Sequence, residues 1–292
     1  MEFGALDVAG DGLGAVELAL VARGLGAALA GVPFVETAAV RYAVEVPGVV
    51  APCLSEPGRG FAPARPATAL AEGRVTGEKD NVTYASAVEL FACPARTSGS
   101  VALALLRTTE ACVEPQPTLD EQLAPARVRF EEAAVEDVVG DGTAVERIAA
   151  AGGVLASAEA VGAAGSMLEL AREYAAQRQQ FGRPIGSFQA VRHILADMFV
   201  RVESSWSSVL YAAASLDERA TDAARTAAIA KAYAARATQE VAHGALQVFG
   251  GVAFTAEHPA HRYLRRIVVR GVSFGSAREH ERAIGRALAK AP

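Results

Sequence analysis

Cysteine is scarce in this chain, and the scarcity excludes two kinds of architecture. The three residues present, Cys53, Cys93 and Cys112, are odd in number and far apart. Neither a disulfide framework nor a CxxC metal site is expected from them; they read as three small buried thiols in a reducing compartment. An excess of positive charge is missing too. Lys and Arg number 28 against 33 Asp and Glu, a net charge of −5, which argues against nucleic acid or an anionic membrane as the main partner. The start at Met1 has no basic segment followed by an apolar core, so no export signal is expected. Arg and Glu punctuate the helical runs, no membrane-spanning stretch is expected, and the chain reads as soluble and cytoplasmic. Histidines are few. His258 and His261 are three apart with no Cys, Asp or third His at ligand spacing, so a solvated turn is expected there and no metal. His193 reads as a packed or capping residue. No internal repeat or low-complexity linker interrupts the chain.

The 292 residues, 51% hydrophobic and 21% charged, have an ordinary globular balance with room for two or three domains. Their texture changes twice. Over residues 12–48, Leu13, Val16, Leu20 and Leu25 fall near helical spacing and Pro33 stops the run. From 49 to 140, strand-sized β-branched pieces lie between turn signals: Val49 to Ser55, Arg74 to Gly77, Ala87 to Ala92, Ser100 to Leu106 and Ala126 to Phe130. Arg127, Arg129 and Glu131 alternate with Val128 and Phe130, as on a half-exposed antiparallel strand. A small β-barrel or sandwich suits these pieces. From 141 to 292 the chain reads as helical. Val154, Val161 and Leu168 make one seam, and Phe188, Val191, Leu195, Met198, Val202 and Trp206 make a second. A third, alanine-rich helix runs from Thr221 to about Val248, and a fourth from Ala277 to Lys290. Alanine-rich faces let helices approach closely, so a four-helix bundle is expected.

Some motifs match a pattern without its context. Gly271 to Gly275 fits G-x-S-x-G around Ser273, but a nucleophile elbow needs a strand before it and an acid, then a histidine, after it. Here His280 follows with only Glu279 and Glu281 nearby, and the preceding Arg262 to Ile267 is helical in texture. Gly10, Gly12 and Gly14 lack the G-x-G-x-x-G spacing and follow no strand. Glu131 and Glu132 read as a solvated edge.

Two segments stand apart: Arg178 to Gln189, containing Gln180, Phe181, Gly182 and Phe188, and Gln247-Val248-Phe249-Gly250-Gly251. Each interrupts a helical run with a polar anchor and with glycines that let a backbone come close to a ligand. A cation, glycines and amides are what a flavin dinucleotide tail needs where no Rossmann fold is present. Either segment alone would read as a helix stop.

With these motifs, and with Tyr174, Glu257-His258-Pro259 and Tyr263-Leu264-Arg265 beside them, the whole chain resembles the acyl-CoA dehydrogenases. Leu54 to Gly58 and Thr76 to Lys79 agree more weakly. The likeness is greatest to short actinobacterial subunits of α2β2 heteromers, similar to those of steroid side-chain degradation. The resemblance implies an α+β multidomain fold: a truncated N-terminal helical domain (1–48), a middle β-barrel domain (49–140) and a C-terminal four-helix bundle (141–292). It also implies that Arg178, Gln180, Phe181, Gln189, Gln247, Val248, Phe249, Gly250 and Gly251 reach across a dimer interface to the adenine and pyrophosphate of an FAD shared with the partner.

The departures from the family pattern are as specific. Phe274 stands where the usual catalytic glutamate is found, and Gly152-Gly153 where some members place it instead. After Lys79 comes Asp80-Asn81-Val82-Thr83, without the tryptophan that meets the flavin ring. A phenylalanine cannot abstract an α-proton. The expectation is therefore a half-site subunit with no catalytic residue of its own. Its partner subunit would carry the catalytic glutamate and the complex would use FAD, an acyl-CoA (a steroid-CoA among the candidates) and an electron acceptor to form a trans-2-enoyl-CoA. A homomeric dehydrogenase with its base elsewhere, a serine hydrolase using Ser273, and a non-enzymatic scaffold are the alternatives.

Overall fold

The computed structural model describes residues 12–289; the start of the chain and Gly10 of the glycine-rich loop lie outside them. Two helices open the described part, α1 (Ala15–Ala27) and α2 (Phe34–Ala43), with Pro33 between them as the sequence predicts. No side chain of its own caps α1. Asp217 does so from 202 residues further on, its carboxylate accepting from Ala15 N at 2.6 Å and Val16 N at 3.1 Å. An acidic acceptor there satisfies two orphan amides and faces the positive end of the helix dipole.

Eight strands follow: β1 (Val50–Pro52), β2 (Ala69–Ala71), β3 (Arg74–Val82), β4 (Leu90–Arg96), β5 (Val101–Arg107), β6 (Cys112–Pro115), β7 (Ala126–Ala134) and β8 (Asp137–Asp141). They form a single sheet in the order β6-β7-β3-β2-β4-β5-β8, with β1 added parallel to β4. Strands β4 and β5 are apolar on both faces for a reason. Phe91, Cys93, Ala104 and Leu106 enter the core of the sheet domain, with Phe130 edge-on to Phe91, while Leu90, Ala92, Leu103 and Leu105 join the core shared with the helices. Cys53 and Cys93 are buried as expected, and burial pushes both thiols up, Cys93 to about 11. Cys112 departs from expectation: on the edge strand β6 it is exposed.

The helical region comprises α3 (Gly142–Gln177), α4 (Gln189–Asp217), α5 (Ala223–Phe249), α6 (Ala260–Val272) and α7 (Ala277–Leu288). The predicted stripe of α4 is buried at Met198, Val202, Trp206 and Val209. Helix α3 corrects one expectation, because it is long and apolar enough to cross a membrane by length and composition. In this fold 83% of its most apolar window is buried inside the protein, the position of a core helix. Glycines let α1 lie on α3: a Cβ on Gly26 would come within 1.9 Å of Glu159 O, and one on Gly162 within 1.9 Å of Arg23 O.

Five buried charges join the three regions. Arg266 and Arg270, one turn apart on α6, are fully buried. Arg266 pairs with Asp120, from the loop before β7, and with Glu159 of α3 at 2.7 Å; it also donates to Ala30 O at 2.9 Å. Arg270 meets Glu36 of α2 at 2.6 Å and Glu159 at 2.9 Å. Removing Arg270 leaves Glu36 without a cation in an apolar interior, so Arg270→Met is expected to cost about 3–5 kcal/mol of folding stability. Chemical denaturation of the variant measures this. The exposed Arg236–Glu281 pair is the control, and Arg236→Ala should leave the midpoint nearly unchanged.

Candidate functional site

Two places carry chemistry, at opposite states of exposure. The first is the end of the bundle where α3 and α5 stop. Arg178 is the residue after α3, and its carbonyl accepts from Ile185 N at 2.8 Å, closing the intervening loop. Within that loop Gln179–Gln180 pair antiparallel with Arg183–Pro184, Phe181 and Gly182 turning at φ 54° and 76°. Arg183 stacks on the Phe188 ring at 4.2 Å, and Phe188 meets Phe181 edge-on. The tip is thereby ordered although it points outward. Tyr174 and Phe249 rings, 5.6 Å apart, bring the end of α3 beside the end of α5.

Both predicted segments therefore share one end of the bundle. The side chains of Arg178, Gln180, Gln189 and Gln247 are exposed, and among the described residues none has a hydrogen bond or ion pair within the chain. Phe181 is 91% exposed and Phe254, just past the glycine turn, 81%. Val248 and Phe249 differ: both side chains are buried, Phe249 also lying against the His258 ring at 4.4 Å, so only their backbones could face a ligand. His258 is itself a packed cap, its Nδ1 accepting from Ala260 N, where a solvated turn was expected, and His193 is exposed where a packed or capping residue was expected.

Gly250 turns at φ 65° and ψ −144°, a conformation that disfavours L side chains, whereas a Cβ on Gly250 or Gly251 would meet nothing within 4 Å. The internal requirement thus falls on Gly250 through its backbone, and Gly251 has none. Gly250→Ala is expected to lower stability by about 1–3 kcal/mol, while Gly251→Val leaves the thermal midpoint of the chain unchanged. A matched pair of melting curves checks this.

The second place is a cavity of about 240 Å³ between the sheet and α6, walled by Pro52, Leu54, Phe61, Val269, Val272 and Phe274, with Ser55, Asn81, Thr83, Thr118 and Ser273 as its main polar groups. No carboxylate and no cation lines it. The Thr83 hydroxyl is turned away into a 2.7 Å bond to Glu36. Ser273 donates to Val269 O at 2.9 Å, and His280 Nε2 lies 2.9 Å from Phe274 O; each bonds a backbone carbonyl, as suits a helix end and not a catalytic dyad. Glu279 accepts from Phe61 N and from Ser276. Burial raises its carboxyl, but these bonds outweigh burial and hold it below the usual range, the wrong direction for a base. Among the described residues no cluster of His, Cys, Asp and Glu could hold a metal.

Sequence reasoning missed Lys231, buried in α5 behind Gly153 and donating to Arg270 O. Burial first, and the Arg270 charge second, lower it from 10.5 to about 7. The unfolded chain keeps that proton up to about pH 10.5 and the folded chain releases it above about 7, so stability climbs with pH across this window. Lys231→Met should flatten the climb, seen as a stability difference between the two proteins that shrinks from pH 7 to 10.

Comparison with known proteins bears on the family and the fold. Residues 139–289 match the family model described as acyl-CoA dehydrogenase, C-terminal domain. The acyl-CoA dehydrogenase FadE27 of Mycobacterium tuberculosis is 30% identical over 315 residues, covering 97% of this chain and 83% of that protein. The chain spans only 22%, 51% and 59% of the lengths of three other acyl-CoA dehydrogenases that it matches. Among solved structures, the ChsE4–ChsE5 complex of M. tuberculosis superposes with a TM-score of 0.87 at 28% identity, over 97% of this chain and 82% of that one. The Tcur3481–Tcur3483 steroid ACAD has the same fold, with a TM-score of 0.89 at 23% identity over 97% and 84%.

Proposed function

Since the chain belongs to the acyl-CoA dehydrogenase family, we propose that it is the half-site subunit of a heteromeric, FAD-dependent acyl-CoA dehydrogenase. One contrast carries the reading: the bundle end presents unengaged polar groups and bare glycines outward, while the chain's own cleft has no charged group and contains a phenyl ring. The first arrangement suits the tail of a dinucleotide bound mainly by another subunit. The second suits no proton abstraction, which requires a base within hydrogen-bond reach of the acyl α-carbon.

In this reading Arg178 neutralises pyrophosphate charge, Gln180, Gln189 and Gln247 offer amides to ribose and adenine edges, and the Gly250–Gly251 backbone approaches closely. Phe181 covers the tail from water. A flavin held there would supply the acceptor for the β-hydride, and a glutamate of the partner subunit would take the α-proton, so that the product would be a trans-2-enoyl-CoA. The partner is a second acyl-CoA dehydrogenase chain, in an α2β2 assembly. The proposed substrate is a bulky acyl-CoA, a steroid-CoA by resemblance, and the proposed setting is cytoplasmic. Two of the solved relatives, ChsE4–ChsE5 and Tcur3481–Tcur3483, support a paired assembly.

The test is co-purification with the partner, reading flavin per heterodimer. One FAD per heterodimer is expected, with turnover abolished by Glu→Gln in the partner; two flavins, or turnover surviving that change, would sink the half-site reading. Arg178→Ala removes a charge-assisted contact of roughly 1.5–3 kcal/mol, so flavin affinity should fall at least about tenfold with the helical circular dichroism unchanged. Gly251→Val should lower flavin content without loss of assembly.

A further inference from the structure

Gly152 and Phe274 are 122 positions apart, yet they make one object. A Cβ on Gly152 would lie 2.1 Å from Cε1 and 2.3 Å from Cδ1 of the Phe274 ring. The ring therefore rests on the bare backbone of α3, in a seat that only glycine leaves open. Phe274 itself turns at φ 57° and Gly275 at φ 96°, so the chain reverses directly after α6 and drives the ring inward. A second set of contacts closes over it. Glu279 accepts from Phe61 N at 2.6 Å, and the Phe61 ring lies 6.2 Å from that of His280. His280 Nε2 bonds Phe274 O, while a Cβ on Gly275 would strike both His280 and Phe61. The loop after β1 is thus fastened to the start of α7, with Phe274 beneath it.

We infer that the Phe274 ring seated on Gly152 is a plug that excludes an aliphatic acyl chain from this subunit's own cleft, held in place by the Phe61–Glu279–His280 contacts. This deepens the half-site reading and rests on it. The neighbouring walls, Leu54, Val269 and Val272, are apolar, and the polar groups at the cavity, Ser55, Thr118 and Ser273, are uncharged. Without the ring, the space it fills would join that cavity into a recess fit for an uncharged aliphatic or polycyclic chain. A ring that only packed the core would leave a sealed void no larger than the ring itself, too small for a probe that carries both a phenyl and a naphthyl group.

The experiment counts binding sites for an uncharged apolar probe, N-phenyl-1-naphthylamine, on the co-purified complex. Phe274→Ala should add one probe site per heterodimer with flavin still at one. Adding Gly152→Leu to that variant refills the recess from the opposite wall and should remove the extra site. Gly152→Ala alone should lower the melting temperature sharply, and much less so alongside Phe274→Ala. An unchanged probe count in a folded Phe274→Ala complex would overturn the plug, as would additive effects of the two substitutions on melting. Should Phe274→Ala fail to assemble, Phe274→Val enters the same assay with the same two outcomes. Two flavins per wild-type heterodimer would overturn the half-site reading instead, so the two failures are told apart by flavin and probe counts.

Discussion

Arg266 and Arg270 face inward from one helix, and everything else of interest is positioned by what they meet. Their carboxylate partners come from α2, from the sheet domain and from α3. Each of these regions buries its own apolar residues, and apolar burial is non-directional. It would hold the regions together without fixing their angles. A guanidinium with donors in a planar fork does fix them, because a buried charge left unpaired costs several kcal/mol. Glu159 is the junction. It lies in the apolar stretch of α3, accepts from Arg266, pairs with Arg270 at 2.9 Å, and stands where Gly26 lets α1 touch the α3 backbone.

That constraint reaches the cleft through one further bond. Glu36, held by Arg270, accepts the Thr83 hydroxyl, and Thr83 lines the cavity at the foot of α6. The network that holds the sheet against the bundle therefore also takes the Thr83 hydroxyl away from the space between them. Lys231 lies behind the same wall and points its ammonium at Arg270 O. Two cations near one helix end are tolerable when one of them gives up its proton readily, which is the direction that burial and Arg270 both impose on Lys231.

Much of the architecture was legible because it is written in local spacing. The stripe from Val191 to Trp206, Pro33 before α2 and the alternation of Arg127 to Phe130 each state an element within ten or fifteen residues. So were the two glycine-bearing helix stops, and their sharing of one bundle end follows from antiparallel helices of similar length. Strands β2, β6 and β8 were not legible, being short and formed at the sheet's margins or by a few pairings. Nor was the burial of Val248 and Phe249, because periodicity inside an alanine-rich helix does not say which face the turn after it will use. The arginine network could have been noticed, since Arg266 and Arg270 flank Ile267 on one face of α6. Their partners could not, because Asp120 and Glu36 are 146 and 234 residues away.

The two phenylalanines at the chemically informative positions show opposite solutions to one problem. Phe181 is met edge-on by Phe188 and left bare, so most of its apolar surface has no partner within the chain. Phe274 is satisfied within the chain, at the cost of a glycine in the middle of α3, where glycine is worth roughly 0.5–1 kcal/mol less than alanine in helix stability. Gly152 can be understood from that contact alone: with its Cβ site 2.1 Å from the ring, no larger residue fits while Phe274 is in place. A helix that gives up stability for a bare patch, and a ring that fills the patch, make sense together and not apart. The pair fills from inside the space that a carboxylate at either position would have needed, while the bundle end keeps its glycines open toward the outside.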